Sequence, residues 1–122
     1  MRRFFMIKKE VSEIVNEQEY KEELKRIIKR INEANVKVAV YSNEEKTLAY
    51  YDIGTYINER KEWGNQYIKK LAEDLKNING FSQRNLERIS WFSDELTFQQ
   101  IPPQAVAKIP WSTCVEIFQY KK

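Results

Sequence analysis

The chain has 122 residues, of which 42% are hydrophobic, 32% charged and 13% aromatic, with a net charge of +3. That is enough for one domain with one core, and the aromatic content excludes a disordered chain. One cysteine and no histidine exclude an intrachain disulfide, a Cys-cluster zinc site, and the commonest metal ligand and general base.

The N-terminus, MRRFFMIKKE, has two arginines and then four apolar residues. This is shorter than the roughly 7 apolar residues of a signal-peptide core. No run approaches the roughly 18 of a membrane span. A cytoplasmic location with no membrane partner is therefore expected. Residues 1–9 carry +4, 10–60 carry −3, 61–95 carry 0 and 96–122 carry +2; no single strongly basic block exists, so any surface for a polyanion has to be assembled by folding. Three Gly and three Pro are few breakers. They favour long helices over a many-stranded sheet, so the expected fold is all-α, a single helical domain over residues 1–122.

Residues 10–34 read as an amphipathic helix. Val11, Ile14 and Val15, then Leu24, Ile27, Ile28 and Ile31, recur at i, i+3, i+4 spacing. A break near 16–19 is compatible with the pattern, and Glu22 and Arg26 form an acid-to-base pair on the exposed face. Residues 36–41, VKVAVY, have strand propensity but no obvious strand partner, and are read as helix. Residues 43–61 are helical, with Asn43 as cap and Leu48, Tyr51, Ile53, Tyr56 and Ile57 as the apolar stripe. Gly54 in mid-helix points to close approach of another helix, with a kink as the alternative. A turn at Gly64 leads to a helix over 65–76 with Tyr67, Ile68, Leu71, Ala72 and Leu75 on one face. The next helix, 82–96, turns Leu86, Ile89, Phe92, Ser93 and Leu96 inward. A proline-punctuated connection follows, and then a last helix with Ser112 as its cap. Cys114 lies in an apolar run and reads as a buried small hydrophobe. The final helix reaches the chain end with no terminating signal, as expected for the N-terminal part of a longer protein.

The stretch NINGFSQRNLERI, residues 77–89, carries most of the functional signal. A helix, a Gly-containing turn and a Ser-capped helix have the form of a helix-turn-helix. Gly80 suits a positive φ, Phe81 packs between the helices, and Ser82 accepts an orphan N–H of the new helix. Gln83, Arg84 and Asn85 then occupy the first turn. Arg84, Glu87, Arg88 and Trp91 share the outward face. In such units the first turns of the second helix reach base edges. Gln and Asn suit adenine, and Arg suits guanine. Lys69, Lys70 and Lys76 on the preceding helix are placed for phosphates. The candidate DNA-binding set is therefore Gln83, Arg84, Asn85, Arg88, Lys69, Lys70 and Lys76. The turn is a residue or more too long for the usual motif, and Glu87 would repel phosphate. An ordinary helical hairpin with a solvated first turn stays open.

The ordered motifs resemble a known family. Tyr50, Tyr51, Ile53, Gly54 and Ile57 are followed by Trp63, Gly64, Ile68, Leu71, Asp74 and Leu75. Then come Gly80, Phe81, Ser82, Arg84, Asn85, Leu86, Ile89 and Phe92, and finally Ile109, Pro110, Trp111 and Ser112. Over roughly residues 20–120 this series resembles the N-terminal domain of the YhcG-like bacterial proteins. The resemblance implies a helical domain regarded as DNA-binding, joined to a C-terminal nuclease domain of the PD-(D/E)XK type. The family's histidine after the Trp-Ser pair is Thr113 here, and the nuclease domain lies outside this sequence.

Glu44-Glu45-Lys46 and Glu59-Arg60-Lys61 match the short E-x-K half of that nuclease motif. No proline precedes an acid, however, and hydrolysis needs converging carboxylates around a divalent ion. No catalytic residue, metal or cofactor is expected in this chain. Two functions compete. One is a DNA-binding module of a nuclease-family protein. The other is an assembly or homodimerisation domain using Trp63, Trp91, Trp111 and the tyrosine-rich segment 41–56.

Overall fold

The computed structural model describes residues 17–119, without the side chains of 36–43 and 118–119. The expected helical residues Val11, Ile14 and Val15 lie outside it. The described elements are α1 (Glu17–Asn58), a 3-10 turn (Lys61–Trp63), α2 (Gly64–Asp74), α3 (Gln83–Gln99), a second 3-10 turn (Pro103–Ala105) and α4 (Trp111–Gln119). Among the described residues every regular element is helical, and the fold is a compact all-α domain.

The helical stretch α1 is 42 residues long but is not a straight rod. Arg30 and Asp52 lie 22 residues apart, which a straight helix would separate by about 33 Å. Their side chains meet at 2.7 Å. Arg26 reaches Glu59 at 3.1 Å, and Arg60 reaches Glu23 at 3.3 Å. The chain therefore folds back between Arg30 and Asp52 into two antiparallel arms. The helical reading of 36–41 holds. The start of a new helix capped by Asn43 does not, because helical backbone continues across that position. The two amphipathic runs are nonetheless separate packing units, as their spacing implied.

The first arm buries Tyr20, Glu23, Ile27, Ile31 and Ala34, and the second buries Thr47, Ala49, Tyr50, Ile53 and Ile57. The stripe on the second arm is thus centred on Tyr50, Ile53 and Ile57, with Leu48, Tyr51 and Tyr56 half-buried on its flanks. The shift arises because this arm packs on two neighbours, the first arm and α3. The expected Glu22–Arg26 surface pair is replaced by Glu23–Arg26, with Glu23 buried between Arg26 and Arg60.

Gly54 marks the crossing with α3. A Cβ there would overlap Ser93 Oγ and the Ile89 carbonyl, so only glycine fits. Around it, Ser93 Oγ donates to the Tyr51 carbonyl at 2.8 Å and Asn58 Nδ2 to the Ser90 carbonyl at 2.9 Å. The close approach inferred from sequence is what the structure contains. Leu86, Ile89, Phe92, Ser93 and Leu96 of α3 are all buried, also as the periodicity required.

Three local boundaries differ from expectation. α2 ends at Asp74, because Leu75 leaves helical geometry and seals the last turn. α3 runs on to Gln99 and closes with Gln100 at φ 59, where Ile101 N–H reaches back to the Leu96 carbonyl at 2.9 Å. α4 starts at Trp111, not after Ser112. The Pro110 carbonyl accepts from the N–H groups of Thr113 and Cys114 at 3.0 Å, which places Ser112 inside the first turn. Cys114 is fully buried against Phe92 and Leu96, and burial pushes its thiol pKa up.

Candidate nucleic-acid interface

The unit α2–α3 follows the sequence plan locally. Ser82 Oγ accepts from Asn85 N–H at 3.2 Å, giving α3 its N-cap. Gly80 has φ 97, in the left-handed region. Phe81 is buried and meets the Tyr50 ring edge-on at 5.6 Å. The connection, however, runs from Leu75 through Ser82. It is longer than the three or four residues of a helix-turn-helix turn. The unit is a capped helical hairpin rather than a tight version of that motif.

The seven candidate residues separate on inspection of their partners. Asn85 faces inward. Its Nδ2 donates to the Gly80 carbonyl at 2.6 Å and contacts Tyr50 Oη at 3.5 Å, and its Oδ1 accepts from Trp111 Nε1 at 3.1 Å. Both amide protons and one lone pair of its oxygen are thus engaged within the fold. Lys76 is tied to Glu73 at 2.9 Å, which also raises its pKa. Gln83 donates to Glu87 at 3.4 Å along the surface of α3. Lys70 lies over the Tyr20 ring at 4.9 Å, on the flank of α2 that faces the first arm. Lys69, about 100° round the helix, points away from that flank.

Arg84 and Arg88 remain. All three other arginines and several lysines of the described residues are paired with acids, at Arg26–Glu59, Arg30–Asp52, Arg60–Glu23, Lys21–Glu17 and Lys61–Asp94. Arg84 is exposed and Arg88 half-buried, one turn apart on α3, and neither has an acidic partner among the described residues. Arg88 Nε is buried without a hydrogen-bond partner.

Sequence reasoning missed Tyr50 and Trp111 as the partners that hold α3's first turn. Their rings meet at 4.7 Å, and Trp111 also packs edge-on against Phe92 at 5.1 Å. Both belong to the motif series Tyr50, Gly80–Asn85 and Pro110–Ser112, so the signal was present but its spatial meaning was not. Glu59 and Lys61, from one E-x-K match, are held in separate ion pairs. Among the described residues no group of three or more His, Cys, Asp or Glu converges as metal ligands, and no helix is long and apolar enough to cross a membrane.

Fold and site together define a small all-α domain whose capped third helix carries unpaired arginines on its surface. The family model of the DUF1016 N-terminal domain matches residues 26–122, and the chain belongs to that family, in keeping with its resemblance to the YhcG-like N-terminal domains. No curated protein and no solved structure matches the chain.

Proposed function

We propose that this domain is a DNA-binding module that serves a nuclease-type protein and carries no catalytic machinery of its own. The observation behind the proposal is the pair Arg84 and Arg88, left without an acid on α3 while the other arginines of the described residues, Arg26, Arg30 and Arg60, are all paired. Gln83 and Lys69 extend the footprint at its edges. Asn85 contributes by fixing the first turn of α3, not by reading a base. Lys70 and Lys76 are secondary, since one lies toward the first arm and the other is paired with Glu73.

The test is fluorescence anisotropy of a labelled random duplex titrated with the domain at several salt concentrations. Binding should weaken with a log–log slope of about −0.9 per phosphate contact. Arg84→Ala with Arg88→Ala should reduce that slope by about 2 and weaken binding, with helical circular dichroism unchanged. A folded double variant that binds like the parent would remove α3 as the DNA face.

A second reading rests on Phe98, which is 83% exposed on α3, and Ile117, which is 44% exposed on α4. Exposed large apolar side chains favour a protein partner. On this reading the domain assembles or dimerises the longer protein.

A further inference from the structure

The outward side of α3 carries a self-complementary pattern, with Arg84 and Phe98 exposed and Arg88, Trp91, Asp94 and Glu95 half-buried. Arg84, Trp91 and Phe98 recur at intervals of seven and so lie nearly in line along the helix. Arg88 and Glu95, also seven apart, share one flank of that line. The N-terminal half of the stripe carries two arginines with no acid partner. The C-terminal half carries Asp94, Glu95 and the exposed ring of Phe98.

We infer that a second copy of this chain docks on α3 in antiparallel register, related by a two-fold axis beside Trp91. The symmetry is isologous, so every contact occurs twice. Residues on the same flank, at distances from the axis that agree to within one residue, then face each other: Arg84 and Phe98 lie seven residues to either side of Trp91, and Arg88 and Glu95 lie three and four. Arg84 meets Phe98 of the second copy, a guanidinium against an aromatic face. Arg88 meets Glu95 on the shared flank, and each gains a partner of opposite charge. On the other flank Glu87 approaches Asp94, whose charge Lys61 already offsets at 2.9 Å.

The occupant is identified by this charge pattern. One helix supplies the basic half, its copy supplies the acidic half, and the apolar ring that each leaves exposed is covered. Parallel pairing would set arginine against arginine and leave Phe98 against Phe98 at one end. A single helical stripe buries less than the roughly 1,200 Å² at the lower bound of standard interfaces, so the dimer is weak and concentration-dependent. It deepens the assembly reading and does not rest on DNA binding. The two occupants share the arginines, so one face cannot hold both at once.

Sedimentation velocity of the chain without nucleic acid tests this, from about 10 μM to about 1 mM, a range that brackets a weak dimer. The weight-average mass should rise from 14.7 kDa toward twice that value. Phe98→Glu should raise the dissociation constant at least tenfold, roughly the effect of losing an interface anchor. Glu95→Arg should weaken association, and adding Arg88→Glu to it should restore it. A single monomeric species at every concentration overturns the inference, and so does a Phe98→Glu variant that associates like the parent. Failure of the charge swap to restore association overturns the antiparallel register. Phe98 is 83% exposed, so its variant reports on association and not on folding.

Discussion

Asn85 looks like a base reader in the sequence and acts as a structural tie in the fold. One amide joins the Gly80 turn, Tyr50 of the second arm and Trp111 of α4. Asn85→Ala would leave the half-buried Trp111 N–H without its acceptor and free the Gly80 carbonyl. Losing such bonds costs about 1–3 kcal/mol, measured by urea unfolding. Trp111→Phe should cost a similar amount, and the double variant less than the sum of the two, because both remove the same bond. Additive costs would place Asn85 outside this network. The tyrosines make a second residue-level case. Tyr20 donates to Asp74 Oδ2 at 2.5 Å, whereas Tyr67 Oη is buried with no partner. Tyr67→Phe should therefore be neutral or stabilising, and Tyr20→Phe destabilising by about 1 kcal/mol. Burial raises the pKa of Tyr20, Tyr50 and Tyr67 above the ordinary 10.0, aided at Tyr20 by Asp74 and at Tyr67 by Glu23. The folded state thus keeps protons that the unfolded chain releases above pH 10. The resulting stability is complete below pH 10 and is lost as pH rises beyond it. Melting temperature should fall through the alkaline range, and tyrosinate absorbance should appear together with loss of helical circular dichroism. Titration of all three phenols in the intact helical state would contradict their burial.

At the scale of the element, the crossing of the second arm with α3 is set by one missing side chain. Gly54→Ala gains about 1 kcal/mol of helix propensity. It also drives a methyl group into Ser93 and the Ile89 carbonyl, with Ser93 Cβ only 2.8 Å from the new atom. Overpacking of this kind costs about 1–3 kcal/mol, and a backbone carbonyl cannot rotate away as a side chain can. The net effect in urea unfolding should be destabilising. Ser93→Ala should not rescue it, since the Ile89 carbonyl remains. The same crossing shows what was legible in the sequence. Gly54, the Ser82 cap, the turn at Gly80 and the five buried positions of α3 follow from local rules of spacing and backbone conformation. The inward orientation of Asn85 was not legible because it depends on Trp111, 26 residues away. Glu23 was missed because an acid on a charge-rich helix reads as solvated until Arg26 and Arg60 close over it. The α2–α3 connection was read as shorter than it is because Leu75 completes the apolar face of a helix read over 65–76, whereas helical geometry ends at Asp74.

The whole molecule depends on the reversal within α1. Without it, the first arm would extend away from α2, and Tyr20, Glu23 and Ile27 would have no core to enter. With it, the first arm lies against the second and against α2, where Tyr20 meets Tyr67 edge-on at 6.0 Å. The clamps at Arg30–Asp52, Arg26–Glu59 and Arg60–Glu23 lie along one seam between the arms, and Arg26 also covers the Tyr56 ring at 3.7 Å. Nothing in a local reading of residues 36–43 announces a reversal, because helical backbone continues across them despite the strand propensity of VKVAVY. Only the pairing of two amphipathic faces requires it. A distance measurement decides the matter directly. Lys25 and Glu62 are exposed and belong to no ion pair among the described residues. Spin labels on Lys25→Cys and Glu62→Cys, in a Cys114→Ala background, would sit about 55 Å apart on an unbent helix. In the folded-back arrangement double electron–electron resonance should give a narrow distribution below about 30 Å, since packed helix axes lie about 10 Å apart. A long distance would separate the arms and dismantle the core around Ile27 and Ile31. It would leave the α3 crossing at Gly54 intact, so the reversal and the candidate interface can be tested independently.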